Sequence, residues 1–122
     1  MQSKGNAPTA AQKQWREEIR ELGCIVHGDK GQIEIHHVLG AAAKHNKVAI
    51  GHWFILPLTG WFHRLNPELN VTTHKRAFEI NFGSQVSLFD KLMLQYEFVY
   101  EKCVPLDPEV IAAIRDLETP GV

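Results

Sequence analysis

Large apolar residues recur at helical spacing in the first quarter of the chain; they are Trp15, Ile19 and Leu22. Thr9 stands three residues before Gln12, which is the spacing of a capping box, and Gly23 suits the end of a helix. Because apolar residues three or four positions apart share one helix face, this pattern predicts an amphipathic helix from about residue 9 to residue 22.

The middle of the chain changes to a pattern typical of strands. Residues 33–36 alternate apolar and polar side chains, and residues 53–56 form a second β-prone run that Pro57 is expected to end. Residues 24–26 are a further short β-prone run. The small and polar residues 40–47 between the two longer runs are predicted to form a loop.

Helical patterns return after the second predicted strand. Residues 59–64 are expected to open a short helix, and a second helix is expected to begin with Thr73 as its cap and to end at Gly83. Residues 86–102 are predicted to form a long amphipathic helix, and residues 107–117 a last short one. The apolar stripe of the long helix consists of Phe89, Leu92, Met93, Tyr96, Val99 and Tyr100.

This order of elements predicts an α+β fold. Residues 1–8 are interpreted as a flexible arm and residues 9–122 as a single domain, with a β-rich core over residues 24–83 and helices over residues 86–117. A chain of 122 residues that is 44% hydrophobic can bury a modest core. The sequence shows neither a secretory signal nor a run of about eighteen apolar residues, so a cytoplasmic protein without a membrane span is expected.

Two further features concern association and redox state. Cys24 and Cys103 are far apart in sequence and are expected to be free thiols in such a compartment. Leu94 and Phe98 lie off the apolar stripe of the long helix. They are interpreted as leftover apolar surface that allows a homodimer.

The net charge of −1 is unevenly distributed. Residues 1–35 are balanced, residues 36–76 carry +4, and the remainder carries −5. A basic patch binds phosphates even when the whole chain is near neutral. The candidate phosphate-binding residues in the basic segment are Lys44, Lys47, Arg64, Lys75 and Arg76, although an ordinary solvated face stays an alternative.

The seven histidines are placed in a suggestive order. His36 and His37 are adjacent at the end of a predicted strand, His63 follows the second strand, and His74 opens a helix. Cutting a phosphodiester requires a base for the attacking water and a cation that stabilises the leaving oxygen. A neutral imidazole serves the first need, and a divalent ion held by side chains serves the second. The order therefore favours a ββα-metal (HNH) unit.

Several segments of the chain resemble the HNH domain of the phage recombination-enhancement (Ref) nuclease family. The similarity covers roughly residues 15–92. The segments that carry it are residues 23–26, 33–38, 52–58, 62–64, 71–74, 78–79 and 82–83. The resemblance implies a DNA endonuclease of a phage or prophage recombination module. It also implies the RecA recombinase filament as a partner, although the long basic arm of Ref proteins has no counterpart before the first helix, which leaves that partnership open.

The resemblance also implies a role for each histidine. His36 corresponds to a metal ligand and His37 to the general base, while His63 corresponds to a second ligand. The usual third ligand falls at Pro67, so His74 is expected to be the third ligand instead. His52 lies near the position of the central Asn of HNH sites, which orients the base. Mg²⁺ or Mn²⁺ is expected to support activity, and imidazole ligation also suits Zn²⁺ or Ni²⁺.

One departure from the family concerns its structural zinc site. The positions that correspond to its four ligands are Cys24, His27, Thr59 and Phe62. Thr59 and Phe62 cannot complete a tetrahedral zinc site, so the site is expected to be lost or degenerate. Apolar packing by Trp53, Trp61 and Phe62 is expected to replace it.

Two alternatives to the nuclease stay open at this point. One is a catalytically inactive DNA- or protein-binding module on the same scaffold, because the zinc cysteines are missing and the C-terminal half is acidic. The other is a structural protein braced by zinc at Cys24, His27 and neighbouring histidines. For the paired His36 and His37, the ordinary alternative is a half-buried strand end.

Overall fold

The structure is a computed structural model, and it describes residues 7–118. Most of the predicted arm over residues 1–8 therefore lies outside the described residues. Four α-helices, one π-helical turn and four short strands make up the described part. In chain order they are α1 (Ala10–Leu22), β1 (Ile33–His37), β2 (Lys44–His45), β3 (Val48–Ala49), β4 (Ile55–Thr59), the π turn (Trp61–Leu65), α2 (Lys75–Phe82), α3 (Gln85–Tyr100) and α4 (Pro108–Asp116).

Helix α1 has the ends that the sequence predicts. The Thr9 hydroxyl accepts a hydrogen bond from the Gln12 backbone N–H, and the Gln12 side chain accepts one from the Thr9 N–H. This reciprocal pair satisfies two of the donors that a helix start leaves unpaired. Gly23 follows the helix with φ of 94°, a left-handed value that glycine adopts without strain.

Strands β1 and β4 form an antiparallel pair in which His36 lies opposite Leu56. Strand β4 corresponds to the predicted run over residues 53–56. It begins at Ile55 and runs through Pro57 to Thr59, so the prediction that Pro57 ends this strand is wrong. Among residues 7–118 no third strand joins the pair, and proline is tolerated where its missing N–H is not needed for a further ladder. The Pro57 carbonyl still accepts a hydrogen bond from the Ile25 N–H.

Two other predictions for the β-rich region are corrected. Residues 24–26 enter a turn rather than a strand, and this turn is closed by a 2.6 Å hydrogen bond from the Gly28 N–H to the Cys24 carbonyl. The predicted loop over residues 40–47 contains β2, which pairs with β3 in a small hairpin. Asn46 and Lys47 take positive φ values in its two-residue turn, as tight hairpin turns require.

Helix α4 begins at Pro108 after the N-cap Asp107, as predicted, whereas the other three helical elements of the second half begin at residues other than those predicted. The short helix expected over residues 59–64 is the π turn. Helix α2 has His74 rather than Thr73 at its N-cap, because Thr73 instead bonds the side chain of Asn70. Helix α3 begins at Gln85, and the Ser84 hydroxyl accepts a hydrogen bond from the Ser87 N–H at its start.

The core lies where α1, β4 and α3 meet. The Trp15 ring packs edge-on against Phe89 and Tyr96, with ring centroids 6.2 and 5.1 Å apart, and its indole N–H donates to the Trp53 carbonyl. The α+β fold class is thus confirmed. No helix among residues 7–118 combines the length and the apolar character needed to cross a bilayer. The largest side chains that are fully buried are Trp15, Tyr96, Phe54, Phe78 and Phe89.

A polar network ties α1 to α3 beside this core. The Tyr96 hydroxyl donates to the Glu18 carboxylate at 2.6 Å, and the Lys102 ammonium donates to the same carboxylate at 3.2 Å. Burial raises the pKa of Glu18, but the hydrogen bonds from Tyr96 and Lys102 outweigh burial and hold the pKa below its usual value of 4.5.

Two leucines of α3 test the packing as a matched pair. Leu92 is fully buried and Leu94 is 71% exposed. We expect Leu92→Ala to lower the free energy of unfolding by about 2–5 kcal/mol, because it leaves a cavity. Leu94→Ala should change it by less than about 0.5 kcal/mol. Chemical denaturation at low micromolar concentration measures both, and similar losses in the two variants would contradict the burial of this helix face.

The Glu18 network predicts a pH dependence of stability. A carboxyl whose pKa is lowered in the folded state stabilises the fold above the unfolded value of 4.5, and this contribution is lost as the pH falls below that value. We expect Glu18→Gln to lower the free energy of unfolding by about 1 kcal/mol at pH 7. The difference from the parent chain should shrink below pH 4.5. Glu68→Gln is the control, and a Glu18→Gln deficit that persists at low pH would refute the assignment.

Candidate active site

A cleft of about 490 Å³ opens where the end of β1 meets the π turn, α2 and α3. Its walls include three of the predicted site histidines, which are His36, His37 and His63, together with the predicted phosphate ligand Lys75. Residues distant in sequence reach one cleft because β1 and β4 are paired in register and the π turn directly follows β4. The cleft is therefore the candidate site.

His36 is fixed by a buried amide. Its Nε2 lies 2.8 Å from Oε1 of Gln85, and the Gln85 amide N–H donates to the Glu79 carboxylate at 3.0 Å. Because the amide oxygen only accepts, His36 Nε2 carries the proton and Nδ1 keeps its lone pair. Burial lowers the pKa of His36 to about 4, against the raising effect of the Gln85 hydrogen bond. The ring is therefore neutral at neutral pH and offers one acceptor nitrogen.

His63 is fixed in a similar way by a carboxylate. Its Nδ1 lies 2.7 Å from Oε1 of Glu34, and Arg64 grips the same carboxylate with two N–H donors. The hydrogen bonds from Arg64 and then His63 lower the pKa of Glu34 to about 2. An ionised carboxylate that accepts from Nδ1 leaves the Nε2 lone pair of His63 available. This is the outer-shell arrangement that commonly orients a metal-binding histidine.

The two oriented rings are neighbours. The ring centroids of His36 and His63 are 5.2 Å apart, with the ring planes tilted by 60°. Two imidazoles that bind one ion with nitrogen–metal distances of about 2.1 Å at a tetrahedral angle hold their centroids roughly 5 Å apart. The separation therefore fits a shared divalent ion.

The second histidine of the strand pair has its own imidazole partner. His37 Nε2 lies 3.2 Å from Nδ1 of His52, and the rings meet edge to face. Burial lowers the pKa of His37, and positive charge at His52 and Arg16 lowers it further. A Cβ atom at Gly51 would clash with the backbone carbonyls of Gly40 and Ala41, so any side chain at this position would displace the segment that carries His52.

The structure does not bring His74 to this pair. It is exposed, stands at the N-cap of α2 without a side-chain capping bond, and is absent from the walls of the cleft. Within residues 7–118, no three His, Cys, Asp or Glu side chains are grouped closely enough to hold a metal ion. Of the three histidines predicted as ligands, His36 and His63 therefore line the cleft together, and His74 does not.

The predicted phosphate ligands separate into different environments. Lys75 lines the cleft, whereas the Arg64 guanidinium is engaged by Glu34. Lys44 and Lys47 are exposed in the β2–β3 hairpin, and Arg76 is exposed on α2. His45 lies in the same hairpin, and its Nε2 is 2.7 Å from the Asp116 carboxylate of α4.

Aromatic packing occupies the position of the family's zinc site. The His27 ring lies 4.7 Å from the ring of Phe62, which is buried and also packs against Phe82 at 5.3 Å. Of the three residues expected to brace this region, Phe62 does so, but Trp61 is half exposed and does not. Cys24 is a buried free thiol, and Cys103 is an exposed one, as predicted.

Two residues that position the histidines were missed by the sequence reasoning. Glu34 stands two residues before His36 on the same strand, which is a sign that it faces the same side of the sheet. The sequence around Gln85 gives no local sign that this residue contacts a histidine. Gln85 reaches His36 from α3, 49 residues away in sequence. Only its burial, at 5% exposure, indicates a polar side chain that must have a hydrogen-bond partner.

The fold and the cleft together define a small α+β protein with an imidazole-lined candidate active site. A family model described as "Recombination enhancement, RecA-dependent nuclease" matches residues 8–99, which include every residue of the cleft. The chain therefore belongs to this Ref-like family, as the resemblance predicted. No curated protein and no solved structure gives a significant match to the chain.

The aromatic cluster predicts that the fold does not need a structural metal. We expect a chelator to leave the thermal unfolding midpoint unchanged in the absence of added ions. Phe62→Ala should lower the free energy of unfolding by about 3 kcal/mol, because a buried ring is removed. Trp61→Ala is the exposed aromatic control and should have a small effect. Unfolding by the chelator alone would show that zinc, rather than ring packing, braces this region.

Proposed function

We propose that the chain is a metal-dependent HNH-type endonuclease that hydrolyses DNA phosphodiester bonds in phage or prophage recombination. The observation that carries the proposal is the presence of two imidazole pairs in one region. His36 and His63 fit a shared ion, and His37 and His52 form a separate hydrogen-bonded pair beside them. Membership of a nuclease family supports the same conclusion.

The ion would be held by His36 Nδ1 and His63 Nε2, the nitrogens that Gln85 and Glu34 leave available. Two protein ligands leave most coordination positions to water and phosphate oxygen, which suits Mg²⁺ or Mn²⁺ as the activating ion and also allows Zn²⁺ or Ni²⁺ to bind. A divalent ion there supplies Lewis-acid stabilisation of the negative charge that develops on the leaving 3′-oxygen.

His37 is the proposed general base. In the tautomer with the proton on Nε2, it donates to His52 Nδ1, and its own Nδ1 lone pair stays available to accept a proton from the attacking water. His37 then takes the proton of that water while His52 keeps the ring in place. Because burial keeps the pKa of His37 low, the ring is neutral and ready to accept a proton at neutral pH.

Lys75 is the proposed phosphate contact inside the cleft, since it lines the wall with both His36 and His63. Arg64 is assigned a different task from the one predicted. Its bidentate hold on Glu34 keeps that carboxylate ionised and aimed at His63, so it acts as a positioning residue. The exposed Lys44, Lys47 and Arg76 are proposed as outer contacts to the DNA backbone.

The proposed setting of the reaction is DNA covered by a RecA filament, in the host cytoplasm.

Plasmid cleavage tests the proposal. Supercoiled plasmid and RecA-coated DNA are incubated with the protein and Mg²⁺, Mn²⁺ or Zn²⁺. We expect His37→Ala to reduce cleavage at least about 100-fold, as loss of a general base does. His45→Ala is the matched control, because His45 is bonded to Asp116, outside the cleft, and should keep full activity. DNA binding without cleavage in any metal, with or without RecA, would indicate an inactive binding module.

Calorimetric titration with Ni²⁺ or Zn²⁺ separates the ligands from their neighbours. His63→Ala should weaken the cleft site at least about tenfold, whereas His74→Ala should leave it unchanged. Equal weakening by the two variants would restore His74 as a ligand. One stoichiometric zinc that survives His63→Ala would favour the structural zinc alternative.

A further inference from the structure

Helix α3 buries one face in the core, and its opposite face is exposed to solvent. Its buried residues include Leu88, Leu92 and Tyr96, which face α1 and β4. On the far side, Leu94 is 71% exposed and Phe98 is 86% exposed. Because they stand four residues apart on one helix, these two side chains form a single contiguous apolar patch.

Charged residues stand at both ends of this apolar pair. Lys91 precedes Leu94 by three residues, and Glu101 follows Phe98 by three residues. Both are exposed, and neither side chain has a hydrogen bond or ion pair within residues 7–118. The exposed stripe of α3, which we define as Lys91, Leu94 and Phe98 of the helix with its C-cap residue Glu101, therefore carries a basic end, an apolar centre and an acidic end.

The order of these four residues is self-complementary about position 96. Lys91 and Leu94 stand five and two residues before it, and Glu101 and Phe98 stand five and two residues after it. When two such helices pair antiparallel about a two-fold axis at this level, Leu94 of each copy meets Phe98 of the other. Lys91 likewise meets Glu101. In a two-fold interface every contact occurs twice.

We propose that the exposed stripe of α3 is a homodimer interface, with a second copy of this chain docked antiparallel on it. A parallel arrangement would place Lys91 against Lys91 and Glu101 against Glu101, which is unfavourable. The contact is small, because it centres on two apolar residues per copy. We therefore expect a weak dimer with a dissociation constant on the order of tens of micromolar.

Sedimentation equilibrium over a range of concentrations tests the interface. The parent chain should shift from monomer to dimer as its concentration rises through the micromolar range. Phe98→Asp should weaken the dimer at least about tenfold, since it places a charge at the apolar centre. Ile80→Asp is the matched control, because Ile80 is equally exposed on α2, outside the stripe, and should leave the dimer unchanged.

Charge reversal tests the antiparallel direction. Lys91→Glu alone and Glu101→Lys alone should each weaken the dimer roughly fivefold, because each creates two like-charge contacts across the two-fold axis. The double variant exchanges the charges and should restore the parent dissociation constant to within about twofold. Circular dichroism at low concentration confirms that each variant is folded.

Three results would overturn the proposal. The first is a parent chain that stays monomeric at several hundred micromolar. The second is a dimer that resists Phe98→Asp but is lost in Ile80→Asp, which would place the interface elsewhere. The third is a double charge variant no better than the single ones.

Discussion

The pairing of β1 with β4 is the constraint on which the candidate site depends. Ile55 and Leu56 are fully buried, and they lie opposite His37 and His36 in the register of the pair. A slip by one residue would exchange the two faces of the slipped strand, and a slip of β1 would carry His36 and His37 each to the side that the other now occupies. The hydrophobic core therefore fixes the positions of polar groups that contribute little to its stability.

Local sequence patterns predicted the parts of the structure that local physics decides. The capping box of α1, strand β1, the end of α2 at Gly83 and the apolar face of α3 all follow from spacing and cap chemistry. Three of the histidines singled out from the sequence line one cleft in the structure. Their roles in catalysis stay predictions. The family assignment rests on many weak landmarks in order, and the family model bears it out.

Long-range packing decided the features that the sequence did not reveal. Gln85 reaches His36 only because α3 packs beside the sheet, and no periodicity encodes that contact. The short hairpin of β2 and β3 lacks an apolar face and so resembled a loop. Pro57 stays within β4 because its missing N–H is not needed in a two-stranded pair. His74 was expected beside the other histidines from the resemblance alone, and in the structure it stands at the start of α2, outside the walls of the cleft.

If ring packing of His27, Phe62 and Phe82 replaces a structural zinc, as predicted, folding does not depend on metal supply. In a domain braced by zinc, the ion is part of the folding free energy, and scarcity of metal removes the protein itself. A fold braced by ring packing needs no bound ion. Under the proposed function, the ion in the cleft then serves the reaction alone. Changes in the intracellular concentration of Mg²⁺ or Mn²⁺ would then switch DNA cleavage on and off, while the amount of folded protein stays constant.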